Sequence, residues 1–334
     1  MGQKMGIQSV NFCKDIRYIA GYAIAGKKES EGPLGKEFDA TVQDDLFGEE
    51  SFEKAERKMF RTAMEGAVRK AGLNLKDIDL VIGGDSLNQI ISASFAVKDF
   101  EGGYIGVYGA CSTMALSLLV GANMIESGAA RRAVCATSSH FCTAERQYRF
   151  PLEMGDQRTP TAQWTVSGSG AAVIAEGGDG LRITGGTFGT VVDMGIDDAN
   201  NMGAAMAPAA ADTISTYMKE HRCVPEDFDM ILTGDLGRLG KSVLADLLVK
   251  KGYDAQGKLQ DCGCMIFSQE QDTHMGGSGC GCSAVVLNSR IYNKMRAGEL
   301  KKILFVATGA LLSQTSSMQG DSIPGIAHAV CIER

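Results

Sequence analysis

The sequence predicts an α/β protein: a duplicated, five-layer α/β/α/β/α body made of two similar halves, residues 1–178 and 179–334. Three observations carry this. Short, continuous apolar runs alternate with longer helical patterns, as in parallel sheet covered by helices on both faces. One local phrase occurs twice, Lys76-Asp77-Ile78-Asp79-Leu80-Val81-Ile82-Gly83-Gly84-Asp85 returning as Glu226-Asp227-Phe228-Asp229-Met230-Ile231-Leu232-Thr233-Gly234-Asp235. A helix followed by a strand also recurs, in the same order in each half.

Taken along the chain, Lys27–Glu50 is polar and rich in turn residues, so it reads as a surface excursion. Phe52–Ala71 has helical periodicity and leads into the first Asp-x-Asp phrase, an apolar run ended by Gly-Asp that reads as a buried strand. Cys111–Gly128 is helical, and Arg131–Ser138 is a buried strand behind a basic start. Trp164–Ala175 reads as one strand, with the joint between halves near Gly177–Leu181. The second half opens at Arg182–Phe188. It repeats the plan with a helix over Ala205–His221, the second Asp-x-Asp strand, a helix over Gly279–Gly298 and a strand over Lys301–Thr308.

A 44% hydrophobic and 22% charged composition in 334 residues is that of a globular protein with a large core. The formal charge of -7 gives no support for a nucleic-acid partner, which demands clustered Lys and Arg, and none is expected. Ten cysteines are too sparse for a disulfide framework, and Met1–Ser9 is polar and unlike a signal peptide. Reduced thiols in a cytosol-like compartment are therefore expected. No apolar run approaches the ~20 residues of a membrane span. The longest, Met114–Ile125, is interrupted by Ser117, Gly121 and Asn123. Any membrane role is expected to be peripheral, through a partner.

One cysteine stands out. In Tyr108-Gly109-Ala110-Cys111-Ser112-Thr113, a strand ends in a tight turn at a helix start, where free N–H groups and the dipole favour a thiolate. The bland alternative is a buried thiol behaving as a small hydrophobe. Two Cys-Gly-Cys pairs, Cys262/Cys264 and Cys280/Cys282, lack the two to four intervening residues that zinc prefers, so no metal is expected. Gly276–Gly279 is not followed by Lys-Ser/Thr and makes no phosphate loop, and no cofactor is called for.

The duplication together with Gly109-Ala110-Cys111-Ser112 resembles the thiolase and ketoacyl-synthase superfamily over nearly the whole chain. Four further stretches carry a closer resemblance to the stage V sporulation AD family within it. They are Cys111–Leu116, Ser138–Phe141 with Arg149-Phe150-Pro151, Thr161–Val166, and His274–Gly281. The resemblance implies a thiolase-like fold, a homodimer to which an exposed edge near Trp164–Val173 is expected to contribute, and a part in moving dipicolinic acid into the spore alongside membrane proteins of the same assembly. It also implies a place on the cytoplasmic side of the spore inner membrane. Condensing enzymes pair the cysteine with a histidine after the second Asp-x-Asp strand, but this chain has Asp235 there. A second polar residue is expected near His274. Vestigial catalytic candidates are thus Cys111 and His274. A pocket for a planar dicarboxylate, free or as its calcium chelate, is expected from Cys111, His140, Arg158, Asp235 and His274. Arg146, Arg149 and Asp156 are further charged candidates on the same segment. The competing expectations are an acyl-CoA-dependent acyltransferase or condensing enzyme using Cys111, and a scaffold with a vestigial pocket.

Overall fold

The computed structural model describes residues 2–148 and 158–334. Ten strands make the frame, five in each half. The first half holds β1 (Ile16–Ala25), β2 (Leu80–Gly84), β3 (Gly103–Gly106), β4 (Arg132–Ser139) and β5 (Gly168–Glu176). The second holds β6 (Leu181–Thr187), β7 (Met230–Thr233), β8 (Leu259–Asp261), β9 (Lys302–Ala310) and β10 (Gly325–Glu333). Their spatial order, β8-β7-β9-β10-β6-β1-β5-β4-β2-β3, is a palindrome of equivalents. In each half the second strand pairs parallel with the third and fourth, and the fifth lies antiparallel between the fourth and the first. Antiparallel contacts join the half-sheets: Leu181 and Arg182 of β6 lie opposite Tyr18 and Arg17 of β1, and Gly185, Gly186 and Thr187 lie opposite Asn11, Val10 and Ser9.

Helices complete the layers. α1 (Phe52–Lys70) covers the outer face of the first half-sheet, its start capped by the Ser51 hydroxyl accepting from Lys54 N. α2 (Thr113–Glu126) lies between the halves, against β2 and β4 on one side and β9 and β10 on the other. α3 (Phe141–Tyr148) follows β4. α4 (Met202–His221) and α5 (Gly237–Lys250) cover the second half-sheet outside. α6 (Cys280–Val286), the counterpart of α2, runs on through a π turn at Leu287–Ile291 to Ala297. With apolar neighbours on both sides, α2 buries residues around its whole circumference, among them Met114, Leu118, Leu119, Ala122 and Ile125.

The repeated Asp-x-Asp phrase has a structural cause. The first aspartate closes a 3₁₀ turn, Asp77 accepting from Asn74 N and Asp227 from Val224 N. The second holds the start of the neighbouring strand: Asp79 accepts from Arg131 N and Arg132 N, and Asp229 from Lys301 N and Lys302 N. Each phrase thus fixes where two parallel strands come into register.

Three expectations need correction. Trp164–Ala175 is not one strand, because Trp164–Thr165 leaves the sheet to pair with Gly277–Ser278, and β5 begins only at Gly168. Nor does Trp164–Val173 offer an open edge, since β5 is bonded on both sides, to β1 and β4. Among the described residues the strand order ends at β3 and β8. Lys27–Glu50 is largely irregular but reaches inward: Glu29, Leu34, Phe38 and Val42 are buried, so the segment is part of the packing.

Candidate functional site

The chain leaves β3 through a turn that forces Ala110 to φ 48°, a costly backbone angle for a residue with a Cβ. Local hydrogen bonds hold it there. Ser112 donates through Oγ to Gly109 O at 2.6 Å, and Thr113 donates through Oγ1 to Ala110 O at 2.5 Å. Gly309 of β9 backs the turn; a Cβ there would lie 2.3 Å from Gly109 O and 3.1 Å from Cys111 N. The result is a rigid elbow that presents Cys111, partly exposed, at the head of α2.

Asp235, at the end of β7, reaches the same point from the second half. Its Oδ2 accepts from Gly279 N at 2.9 Å and Ser278 Oγ at 3.1 Å, and its Oδ1 accepts from Thr308 Oγ1 at 3.0 Å. Burial pushes this carboxyl up to about 7, against those hydrogen bonds and one from Cys111 that favour its ionised form. The Cys111 thiol feels both Cys280 and Asp235. Cys280, burial and the Asp235 charge together hold it protonated, well above the ordinary thiol range. The helix dipole is outweighed here, and the sulfur is a poor nucleophile at neutral pH.

The other predicted site residues lie elsewhere. His140 is buried at the head of α3, with Nε2 donating to Asp45 O at 2.8 Å and Nδ1 accepting from Cys142 N at 3.2 Å. Desolvation lowers its proton affinity. His274 does not reach Cys111; it bonds Thr159 O through Nδ1 and sits 3.3 Å from Asp272 through Nε2. Arg158 joins that knot, donating to Asp272 O at 3.0 Å and lying 4.9 Å from the Trp164 ring centre. Together they tie the segment entering the Trp164–Thr165 strand to the turn before Gly277. Arg146 pairs with Glu53 of α1. Arg149 and Asp156 fall outside the described residues.

Two cavities meet at this centre. The inner one, about 30 Å³, is lined by Ser86, Cys111, Tyr148, Thr165, Gly279 and Leu312 among others. That volume holds a water or two and no more. The outer one, about 560 Å³, is lined by Leu87, Asn88, Gln89, Ile90, Tyr108, Leu311, Leu312, Ser313 and Ser316. They share Leu312, and Tyr148, which donates to Ser86 O, lines the inner one. The outer cavity lies beyond the carboxyl ends of β2, β3 and β9, where open α/β sheets place their ligands. Its size and make-up, apolar walls with a few amides and hydroxyls, are those of a cavity that suits a small molecule.

Sequence reading missed this outer wall, and it missed His328. That imidazole is buried in β10 and accepts from Gly189 N through Nδ1 at 3.1 Å. Burial depresses it to about 4, so it stands neutral behind the Cys111 elbow. Nothing in an apolar strand such as Ile326–Ile332 marks a histidine as facing a site.

The duplicated sheets, central helix pair and cysteine elbow define a thiolase-like fold. Solved structures agree. A variant of Xanthomonas campestris OleA matches with TM-score 0.66 at 13% identity, covering 97% of this chain and 99% of that one. A 3-oxoacyl-(acyl carrier protein) synthase III from Xanthomonas oryzae matches at 0.63 and 12%, covering 97% and 100%. The family is narrower than the fold. The model for stage V sporulation protein AD matches residues 6–333, and Bacillus subtilis stage V sporulation protein AD is 45% identical over 310 residues, 93% of this chain and 92% of that protein. The chain belongs to the stage V sporulation protein AD family, and its role is in sporulation.

Proposed function

We propose that this protein binds dipicolinic acid, as free acid or calcium chelate, and carries out no condensation. It would serve as the soluble member of a spore dipicolinate transport assembly. The observation that carries the non-catalytic part is the state of Cys111, a thiol that Cys280, burial and the Asp235 charge hold protonated. Among the described residues, no imidazole lines the inner cavity to take its proton. The outer cavity suits a flat, polar-edged ligand: Tyr108, 47% exposed, offers a ring face, and Asn88, Gln89, Ser313 and Ser316 offer hydrogen-bonding groups for carboxylate oxygens. We further propose a homodimer working at the cytoplasmic side of the spore inner membrane through its membrane partners. No helix among the described residues is long and apolar enough to cross a membrane.

The acyltransferase reading has one observation on its side, the elbow that delivers Cys111 to a helix head. Titration calorimetry with dipicolinate, with and without calcium, decides. Saturable binding that Tyr108→Ala weakens by roughly 3- to 10-fold, the value of one aromatic contact, supports the proposal. Absence of binding leaves a scaffold, and acylation of Cys111 by an acyl thioester restores the enzyme.

A further inference from the structure

Among the described residues no charged side chain lines the outer cavity, so a carboxylate inside it must be held by neutral donors. The donors on its walls are not equally available. Ser313 donates through Oγ to Ser316 Oγ at 3.0 Å, and Ser316 donates through Oγ to Ser313 O at 3.1 Å. Those protons cap the short helix Gln314–Met318, and a ligand takes them only by opening the cap. Asn88, on the wall formed by Leu87–Ile90, is bound differently. Gln147, half-buried in the last turn of α3, grips it with both ends of its amide. Its Oε1 accepts from Asn88 N at 3.2 Å, and its Nε2 donates to Ser86 O at 3.1 Å and to Asn88 Oδ1 at 3.4 Å. The partners leave each atom one identity. A backbone N–H is met only by Oε1 and a backbone carbonyl only by Nε2. An Asn88 Nδ2 turned toward Gln147 would set donor against donor, so Oδ1 takes that side and Nδ2 points away from α3. Both ends of the grip are anchored. Thr143 of α3 donates to the buried Glu56 at 2.9 Å, and Asp85 accepts from Leu87 N and Ala93 N around the loop.

We propose that Asn88 is the specificity-determining residue of the outer cavity, giving its Nδ2 protons to a ligand carboxylate, and that Gln147 is the residue that positions it. Resting on the dipicolinate reading above, this deepens it: the cavity selects a group that only accepts hydrogen bonds over an amide of the same shape. A carboxylate offers Nδ2 an acceptor through either oxygen. A primary amide offers one only through its carbonyl, and its own N–H groups meet Nδ2 donor against donor. Gln147 makes no contact with the ligand and acts through Asn88 alone.

The test is titration calorimetry of the full chain with dipicolinate and with its diamide, pyridine-2,6-dicarboxamide. The parent chain is expected to bind the dicarboxylate about tenfold or more tightly than the diamide. Asn88→Ala should weaken dipicolinate by roughly ten- to hundredfold, the worth of a hydrogen bond to a charged group, and the diamide by under about threefold. Gln147→Glu keeps the acceptor for Asn88 N and replaces the donor with an oxygen, so the Asn88 amide turns over and brings Oδ1 to the cavity. It should weaken dipicolinate by about tenfold or more and leave the diamide bound as well or better. In an Asn88→Ala background the same change should cost less than about threefold, whereas a loss caused by the added charge or by a distorted loop persists there. An Asn88→Ala chain that binds dipicolinate as the parent does overturns the proposal. So does a Gln147→Glu change that weakens both ligands alike, or that keeps its full effect without Asn88. In each of these cases dipicolinate binding itself still stands. A parent chain that binds no dipicolinate overturns the proposal together with the reading it rests on.

Discussion

Cys111 owes its chemistry to neighbours rather than to its place at a helix head. The dipole favours a thiolate by under a kcal/mol at most exposed sites, whereas the adjoining carboxylate, second thiol and burial all act the other way. The elbow that holds it depends on Gly309, the one position where a side chain would strike both Gly109 O and Cys111 N. Gly309→Ala is therefore expected to destabilise the fold by about 1–3 kcal/mol, as overpacking does, and to change the alkylation rate of Cys111. An unchanged melting temperature together with an unchanged rate would show that the turn has room to move. At this scale the sequence was partly legible. Gly-Ala-Cys-Ser pointed to Cys111, and the end of the second Asp-x-Asp strand pointed to Asp235. His140, Arg158 and His274 misled because their chemistry is spent on backbone carbonyls and on Asp272, partners that no spacing in the sequence announces.

The segment after β2 shows how a loop is made into a cavity wall. Asp85, buried, accepts from Leu87 N at 2.8 Å and from Ala93 N at 2.7 Å, clasping both ends of the stretch that carries Leu87–Ile90. Within it Gln89 and Ile90 hold φ 56° and 47°, which a chain with Cβ atoms adopts only under constraint. Burial pushes Asp85 up to about 6, so it is largely ionised at neutral pH, and the buried Glu56 beside it is held protonated by burial and by that charge. Hydrogen bonds to an ionised acceptor contribute roughly 1.5–3 kcal/mol each. Asp85→Ala is expected to raise amide exchange at Leu87 and Ala93 by at least tenfold and to weaken dipicolinate binding, while the Cys111 alkylation rate stays within about twofold. Unaltered exchange at those two amides would remove Asp85 from this role. The element itself, Lys76–Asp85, was readable as a strand ended by Gly-Asp. The outer cavity was not, because it is formed beyond three strand ends that the topology, not the local sequence, brings together.

At the scale of the whole molecule the duplication was the most legible feature. Both copies of the Asp-x-Asp phrase do the same work, and the palindromic strand order follows from it. The fold then concentrates ionisable groups in its middle, where the ends of β2 and β7 meet the heads of α2 and α6. Burial raises Glu29 and Asp235 to about 7, and raises Asp261 as well. The sign follows directly. A carboxyl whose folded value lies above its unfolded one near 3.8 binds protons more tightly when folded. Its contribution to stability is complete below that lower value and is lost as pH rises through the folded value. For Asp235 the window runs from about 4 to about 7. His328 opposes it, since a buried neutral imidazole depressed to about 4 adds stability that disappears as pH falls from 6.5 toward 4. Asp235→Asn removes the first effect and keeps the second. The variant should therefore melt relatively better at pH 8 than at pH 5 when each is compared with the parent chain. The difference should be on the order of a few kcal/mol, because each tenfold change in proton affinity is worth about 1.4 kcal/mol. Differential scanning calorimetry at the two pH values reads this double difference. If the parent and variant lose or gain stability in parallel between pH 5 and 8, Asp235 titrates in the folded protein as it does in the unfolded chain. Its place between Cys111, Thr308 and Gly279 would then carry no electrostatic cost.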